Sequence, residues 1–141
     1  MRINHVIVAA AAAVSLIPLA SHACDEHANR TAVKTITLNE ATRLQKEAQA
    51  AFLDANDSNT RARWGVIPGA TLLTNSVDYS LAELPKDKAA KLVFYCANTR
   101  CTSSRQAATR AANAGYTDVN VLPDGIMGWK NAGQPTSIPR S

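Results

Sequence analysis

The sequence predicts an α/β protein: a central parallel sheet of four or five strands with helices on both faces. Three observations carry that reading. Leu92-Val-Phe-Tyr95 is a continuous apolar run that enters Cys96, the pattern of a strand buried on both sides. A short polar loop follows, then an alanine-rich helical stretch with N-cap candidates at Thr102, Ser103 and Ser104 and a stop at Gly115. Beyond it, Asp118-Val-Asn-Val-Leu122 alternates and reads as the next strand. Strands separated by helices imply parallel pairing.

The other elements follow in order. Val33 to Leu38 alternates and predicts a short strand. Asn39 is a plausible N-cap, and Ala41, Leu44 and Ala48 sit at helical spacing through Gln49. Ala51-Phe-Leu-Asp54 reads as a short buried strand, and Asn56 to Asn59 as a turn cluster. Thr60 to Trp64 predicts a short helix, and Gly65 to Ala70 a Gly/Pro loop leading into Thr71-Leu-Leu73. Ser80 to Leu84 is a weak helix ended by Pro85, and Lys86 to Lys88 a solvated turn. After the turn Pro123-Asp-Gly125, Ile126 to Ala132 forms a short helix closed by Gly133. In such a sheet the loops after Leu53, Leu73, Tyr95 and Leu122 gather at the carboxyl edge around Cys96, where ligands of open α/β sheets bind.

Composition narrows the function. With 46% hydrophobic and 18% charged residues, the 141-residue chain fits one globular domain. The net charge of +4 is mild and scattered, with no run of like charges, which argues against a nucleic-acid partner and leaves weak attraction for small anions. Arg2 and His5 precede an apolar run from Val6 to Ala20, and Ser21-His22-Ala23 offers small residues at a cleavage site. Residues 1–23 therefore read as a secretory signal peptide. The run is about 15 residues, short of the ~20 of a stable membrane span. Cleavage would leave Cys24 first, and attachment of a lipid there is the lesser expectation, because Ser21 stands where such signals carry leucine. A periplasmic or secreted location follows, where disulfides persist. Residues 24–34 form a lead, 35–136 the domain and 137–141 a tail.

Cys96, at a strand end and before a helix N-terminus, is the candidate nucleophile, because that setting favours the thiolate. The loop is expected to turn several backbone N–H groups inward as an anion nest. Histidine occurs only at positions 5, 22 and 27, so a Cys-His hydrolase has no base in the folded core and a Cys/His zinc site lacks ligands. No cofactor or metal is called for.

Four pieces, in order, resemble a single-domain rhodanese: Phe52-Leu-Asp54; Gly65-Val-Ile-Pro-Gly-Ala70, with Val66 where histidine is usual; Leu92-Val-Phe-Tyr-Cys96; and the stretch from Ala114-Gly-Tyr116 through Asp124-Gly-Ile-Met-Gly-Trp129-Lys-Asn-Ala-Gly133. The resemblance implies a rhodanese-like sandwich and a sulfurtransferase in which Cys96 takes sulfur from a small anionic donor as a persulfide and passes it to a thiol acceptor. It also implies that Ala97, Asn98, Thr99, Arg100 and Thr102 line the substrate. Sulfurtransferase loops carry arginine five residues after the cysteine; here that residue is Cys101, with Arg100 before it. Related phosphatase loops carry arginine at the sixth, which is Thr102 here.

Cys101 is either a resolving thiol for Cys96 or a space-filler at the helix start. Arg100 and Arg105 are the cationic candidates, Arg105 the more superficial. Asp54 reads as a supporting acceptor for loop N–H groups rather than a catalytic group. Arg61 and Arg63 are rim or solvated charges, and Trp64, Trp129 and Tyr95 are core. Two alternatives to sulfur transfer remain: a thiol-disulfide protein using Cys96 and Cys101, and a non-catalytic binding module.

Overall fold

The computed structural model describes residues 31–139. The chain runs β1 (Lys34–Thr35), α1 (Leu38–Lys46), β2 (Ala51–Asp54), α2 (Ser58–Trp64), β3 (Thr71–Leu72), one 3₁₀ turn (Leu81–Glu83), β4 (Lys91–Tyr95), α3 (Ser103–Asn113), β5 (Asp118–Leu122) and α4 (Gly125–Asn131). The five strands pair in the order β1-β5-β4-β2-β3, and every pairing is parallel. The apolar β4 is thus the central strand. The predicted α/β class with a covered parallel sheet is what the chain adopts.

Strand periodicity sorts the core into two layers. Leu92, Phe94 and Cys96 face the α3 side with Leu53, Val119 and Val121, beneath Ala107, Ala108, Ala111 and Ala112. The small alanines let α3 approach β4 and β5 closely. Val93 and Tyr95 face the other way with Phe52 and Leu122, against Ala41 and Leu44 of α1 and Ile126 and Trp129 of α4. Burying each large apolar side chain contributes about 1.5–3 kcal/mol.

Several element ends differ from the sequence expectation. Thr37, not Asn39, caps α1, its Oγ1 accepting the Glu40 N–H at 3.2 Å. The helix stops at Lys46, and Ala48 lies beyond it in the left-handed region at φ 51°. α2 begins at Ser58 because Asp57 Oδ1 accepts the Thr60 N–H at 2.8 Å, so part of the expected turn cluster is helix. The weak helix near Ser80 is a single turn held by a capping box between Ser80 and Glu83. Ser137, placed in the tail by the sequence, pairs through both backbone groups with Val66 at 2.9 Å.

The start of β5 carries a charge cluster. Asp118 pairs with Lys91 at 2.7 Å and accepts from Asn120 Nδ2 at 2.9 Å, with Lys34 at 3.9 Å. Burial alone would raise the Asp118 pKa, but these partners outweigh it and hold the carboxyl below its ordinary value. A depressed native pKa means a contribution to stability that is present above the unfolded-chain value of about 3.9 and fades as pH falls through the native one. Asp118→Asn should therefore cost about 1 kcal/mol at neutral pH. Urea denaturation between pH 7 and pH 3 should show that gap closing on the acid side; a constant gap would contradict the cluster's role.

Candidate active site

Cys96 follows the last residue of β4, at the carboxyl edge of the sheet. Two hydrogen bonds fix the backbone there. The Ile126 N–H donates to Cys96 O at 2.8 Å, and the Met127 N–H to Ala97 O at 3.0 Å. Among the described residues every peptide is trans, so with both carbonyls turned to α4 the N–H groups of Ala97 and Asn98 face away from it. Gly125 makes this contact feasible. Its φ is +61°, and a Cβ there would lie 2.5 Å from Cys96 O and 2.6 Å from Ala97 C and O.

The rest of the loop is organised by Asn98. Its carbonyl accepts the Cys101 N–H at 3.0 Å, its Oδ1 accepts the Arg100 N–H at 3.0 Å, and its Nδ2 contacts Met127 Sδ at 3.3 Å. The expected nest is therefore partial: two loop N–H groups turn back onto Asn98 rather than inward. Asn98 acts here as a turn residue. Thr99, Arg100, Thr102 and Arg105 are exposed and Ala97 is half-buried.

Cys96 and Cys101 are joined by a disulfide with Cα atoms 6.3 Å apart. The two sulfurs differ in surroundings. Cys96 is only 2% exposed and packs in the α3-side core, so the candidate nucleophile is buried beneath the loop rather than open at the sheet edge. Cys101 is half-buried and lines a small cavity of about 150 Å³ with Thr99, Thr102, Ser104, Arg105 and Pro123.

The α3 start supplies polar contact to the inner sulfur. Thr102 is the N-cap, but its side chain makes no capping bond, which leaves the first-turn N–H groups uncapped by it. Ser104, 3% exposed, has its hydroxyl 3.3 Å from Cys96 Sγ. Sequence reading took Ser104 only as a cap candidate. No local signal separates it from Thr102 and Ser103; only the phase of α3 turns it toward the sulfur.

Asp54 lies at the same edge, fully buried. Its Oδ1 accepts the Asn56 N–H at 2.7 Å and Arg61 Nε at 3.2 Å. Arg61 is neither a rim charge nor solvated. Its side chain is 13% exposed, and its second nitrogen donates to Asp54 O at 2.9 Å and Leu73 O at 2.8 Å. Arg63 is exposed, over the Trp64 ring at 5.6 Å. Trp64 is half-buried rather than core, whereas Trp129 and Tyr95 are fully buried. Burial, reinforced by the nearby Asp54 charge, pushes the Tyr95 pKa up, so its hydroxyl stays protonated; it accepts the Ile67 N–H at 3.1 Å.

The pattern of the family described as rhodanese-like domain matches residues 37–132, most of the chain. The chain belongs to the rhodanese-like domain family. No curated protein matches it in sequence. Among solved structures, this rhodanese-like chain resembles a Rhodopseudomonas palustris protein of unknown function described as a possible tyrosine phosphatase. Identity is 25%, coverage 74% of this chain and 85% of that one, and TM-score 0.62. A rhodanese-like domain from Anabaena is 25% identical over 75% of this chain and 80% of its own, with TM-score 0.59. The human single-domain sulfurtransferase, at 22% identity, shares the fold over 71% of this chain and 97% of its own, with TM-score 0.57. Among the described residues no helix is long and apolar enough to cross a membrane.

Proposed function

We propose that this chain is a sulfurtransferase that carries sulfane sulfur as a persulfide on Cys96. One observation carries the reading. The Cys96 sulfur sits at the carboxyl edge of a rhodanese-like sheet, against the Ser104 hydroxyl and the start of α3. A hydroxyl donor and a helix N-terminus stabilise a sulfur anion, either thiolate or persulfide. With the disulfide opened, the Cys96 thiolate attacks the outer sulfur of a donor such as thiosulfate. The donor's S–S bond breaks, sulfite leaves with the electron pair, and Cys96 keeps the transferred sulfur. An acceptor thiolate then takes that outer sulfur and returns Cys96 as thiolate. The exposed Arg100 and Arg105 favour an anionic donor. The solved neighbour described as a possible phosphatase raises phosphate chemistry, but Thr102 stands where a phosphatase-type loop has its arginine. The disulfide favours a second reading, thiol-disulfide exchange by the cysteine pair without any sulfur load. Export belongs to the proposal too; residues 1–30, which include the signal-like segment and Cys24, lie outside the described residues.

The test is intact mass after reduction and exposure to thiosulfate or polysulfide. Cys101→Ser should gain about 32 Da per added sulfur, and the gain should vanish in Cys96→Ser. Cys101→Ser without an adduct from any donor would leave the thiol-disulfide reading in possession. The same measurement on exported protein reads whether cleavage follows Ala23.

A further inference from the structure

We propose that Cys101 discharges the Cys96 persulfide within the chain, releasing sulfide and closing the disulfide, and that a dithiol reductant reopens it by attacking Cys101. This inference rests on the persulfide reading above and adds a second fate for the loaded sulfur, release as sulfide, together with the dithiol partner that resets the site.

Placement comes first. The two Cα atoms stand 6.3 Å apart, inside the roughly 4.4–6.8 Å span of disulfides, so the sulfurs meet without backbone movement. Cys101 is not carried on a free tail. Its N–H is bound to Asn98 O, and the loop before it is pinned to α4 through Cys96 O and Ala97 O. A thiol presented this way competes with external acceptors at a large effective concentration. Burial works in the same direction: an outside acceptor must approach a sulfur attached to a residue only 2% exposed, whereas Cys101 is already beside it. Finally, this thiol stands at the loop position where the resemblance leads one to expect a substrate-binding arginine.

The step balances. The Cys101 thiolate attacks Cys96 Sγ, and a new S–S bond forms between the two cysteines. The bond from Cys96 Sγ to the sulfane sulfur breaks, and hydrosulfide leaves with its electron pair and takes up the proton from the Cys101 thiol. Cys101 is oxidised and the sulfane sulfur is reduced. Restoring the two thiols requires two electrons, supplied by a dithiol that becomes a disulfide.

The site itself sets the direction of that reopening. Cys101 borders the roughly 150 Å³ cavity, while Cys96 in the closed disulfide is only 2% exposed. Attack at Cys101 makes Cys96 the leaving group, and its departing thiolate is received by the Ser104 hydroxyl and the start of α3. A leaving thiol whose anion is stabilised leaves faster.

The experiment is a single turnover without oxygen. Reduced, desalted wild type and Cys101→Ser each receive one equivalent of thiosulfate, whose loading step releases sulfite and no sulfide, and sulfide and intact mass are followed. Wild type should release one sulfide per chain and end about 2 Da lighter than its reduced form. Cys101→Ser, with Cys101→Ala as a second variant, should keep its added sulfur and release sulfide at least tenfold more slowly until a thiol is supplied. Wild type that retains its added sulfur while Cys101 remains alkylatable would overturn the inference and leave the persulfide reading intact. Variants that never take up sulfur would overturn that reading, and this inference with it. For the reopening half, dithiothreitol is added to the oxidised wild type and quenched early with acid. Peptide mapping should find the mixed disulfide on Cys101; finding it on Cys96 would overturn the assigned direction.

Discussion

Gly125→Ala is expected to lower stability by about 3–5 kcal/mol, a sum of left-handed backbone strain and steric overpacking. The residue sits at φ +61°, and the added Cβ would meet backbone atoms of Cys96 and Ala97 at 2.5 and 2.6 Å. Backbone cannot swing aside as a flexible side chain can. Either α4 retreats, losing the bonds from Ile126 and Met127, or the loop does, carrying Cys96 with it. Gly133→Ala is the control that separates the two costs. Gly133 also has a positive φ, +72°, but no atom lies within 4 Å of its would-be Cβ. It should lose only about 1 kcal/mol, the conformational part. In thermal denaturation the first substitution should drop Tm by more than about 12 °C and the second by about 4–8 °C. At a temperature where both remain folded, the Gly125 variant should also load sulfur on Cys96 more slowly than wild type. Equal Tm losses would show that the close approach of α4 does not govern the loop.

The contrast between these glycines marks where sequence reading stops. Gly125 reads as part of a Pro-Asp-Gly turn, a local property. That its missing Cβ makes room for the loop bearing Cys96 is a contact between segments roughly thirty residues apart, which no local pattern encodes. By the same logic β5 was legible to the residue and β4 to within one, because the alternation in Asp118–Leu122 and the apolar run Leu92–Tyr95 are local and strong. Helix starts were less legible. Thr37 and Asn39 are both good caps, and only the backbone geometry chooses Thr37. Within the site, Cys96 was legible from its position at a strand end. Ser104 was not, because three adjacent hydroxyl residues look alike until the phase of α3 turns one of them toward the sulfur. The mixed character of the loop is likewise tertiary. Asn98 gathers two N–H groups that a simple nest would have aimed at a ligand.

Arg61→Met is the other substitution with a large expected effect, although sequence reading treats Arg61 as one of several surface charges. Three acceptors, from the end of β2 and the residue after β3, converge on its guanidinium: Asp54 Oδ1, Asp54 O and Leu73 O. The planar fork of arginine can serve all three at once, which a lysine ammonium on its single stem cannot. Removing it leaves the fully buried Asp54 carboxylate without its cation and frees two strand-end carbonyls. Breaking such a pair on one side costs about 3–5 kcal/mol, mostly from the stranded charge. The double variant Asp54→Asn, Arg61→Met no longer buries a charge. It should therefore be more stable than Arg61→Met alone, despite carrying one more substitution. Arg61→Lys should fall between wild type and Arg61→Met. The consequence reaches the site through the sheet: the Ala55 N–H donates to Tyr95 O at 2.9 Å, immediately before Cys96, so the end of β2 braces the end of β4. Loosening the clamp should raise amide exchange at Ala55 before it affects the α3 face. A urea-denaturation cycle of the four proteins reads the coupling directly. If Arg61→Met stays within about 0.5 kcal/mol of wild type, in the range of ordinary surface substitutions, the clamp contributes nothing and Arg61 is the solvated charge its sequence context suggests.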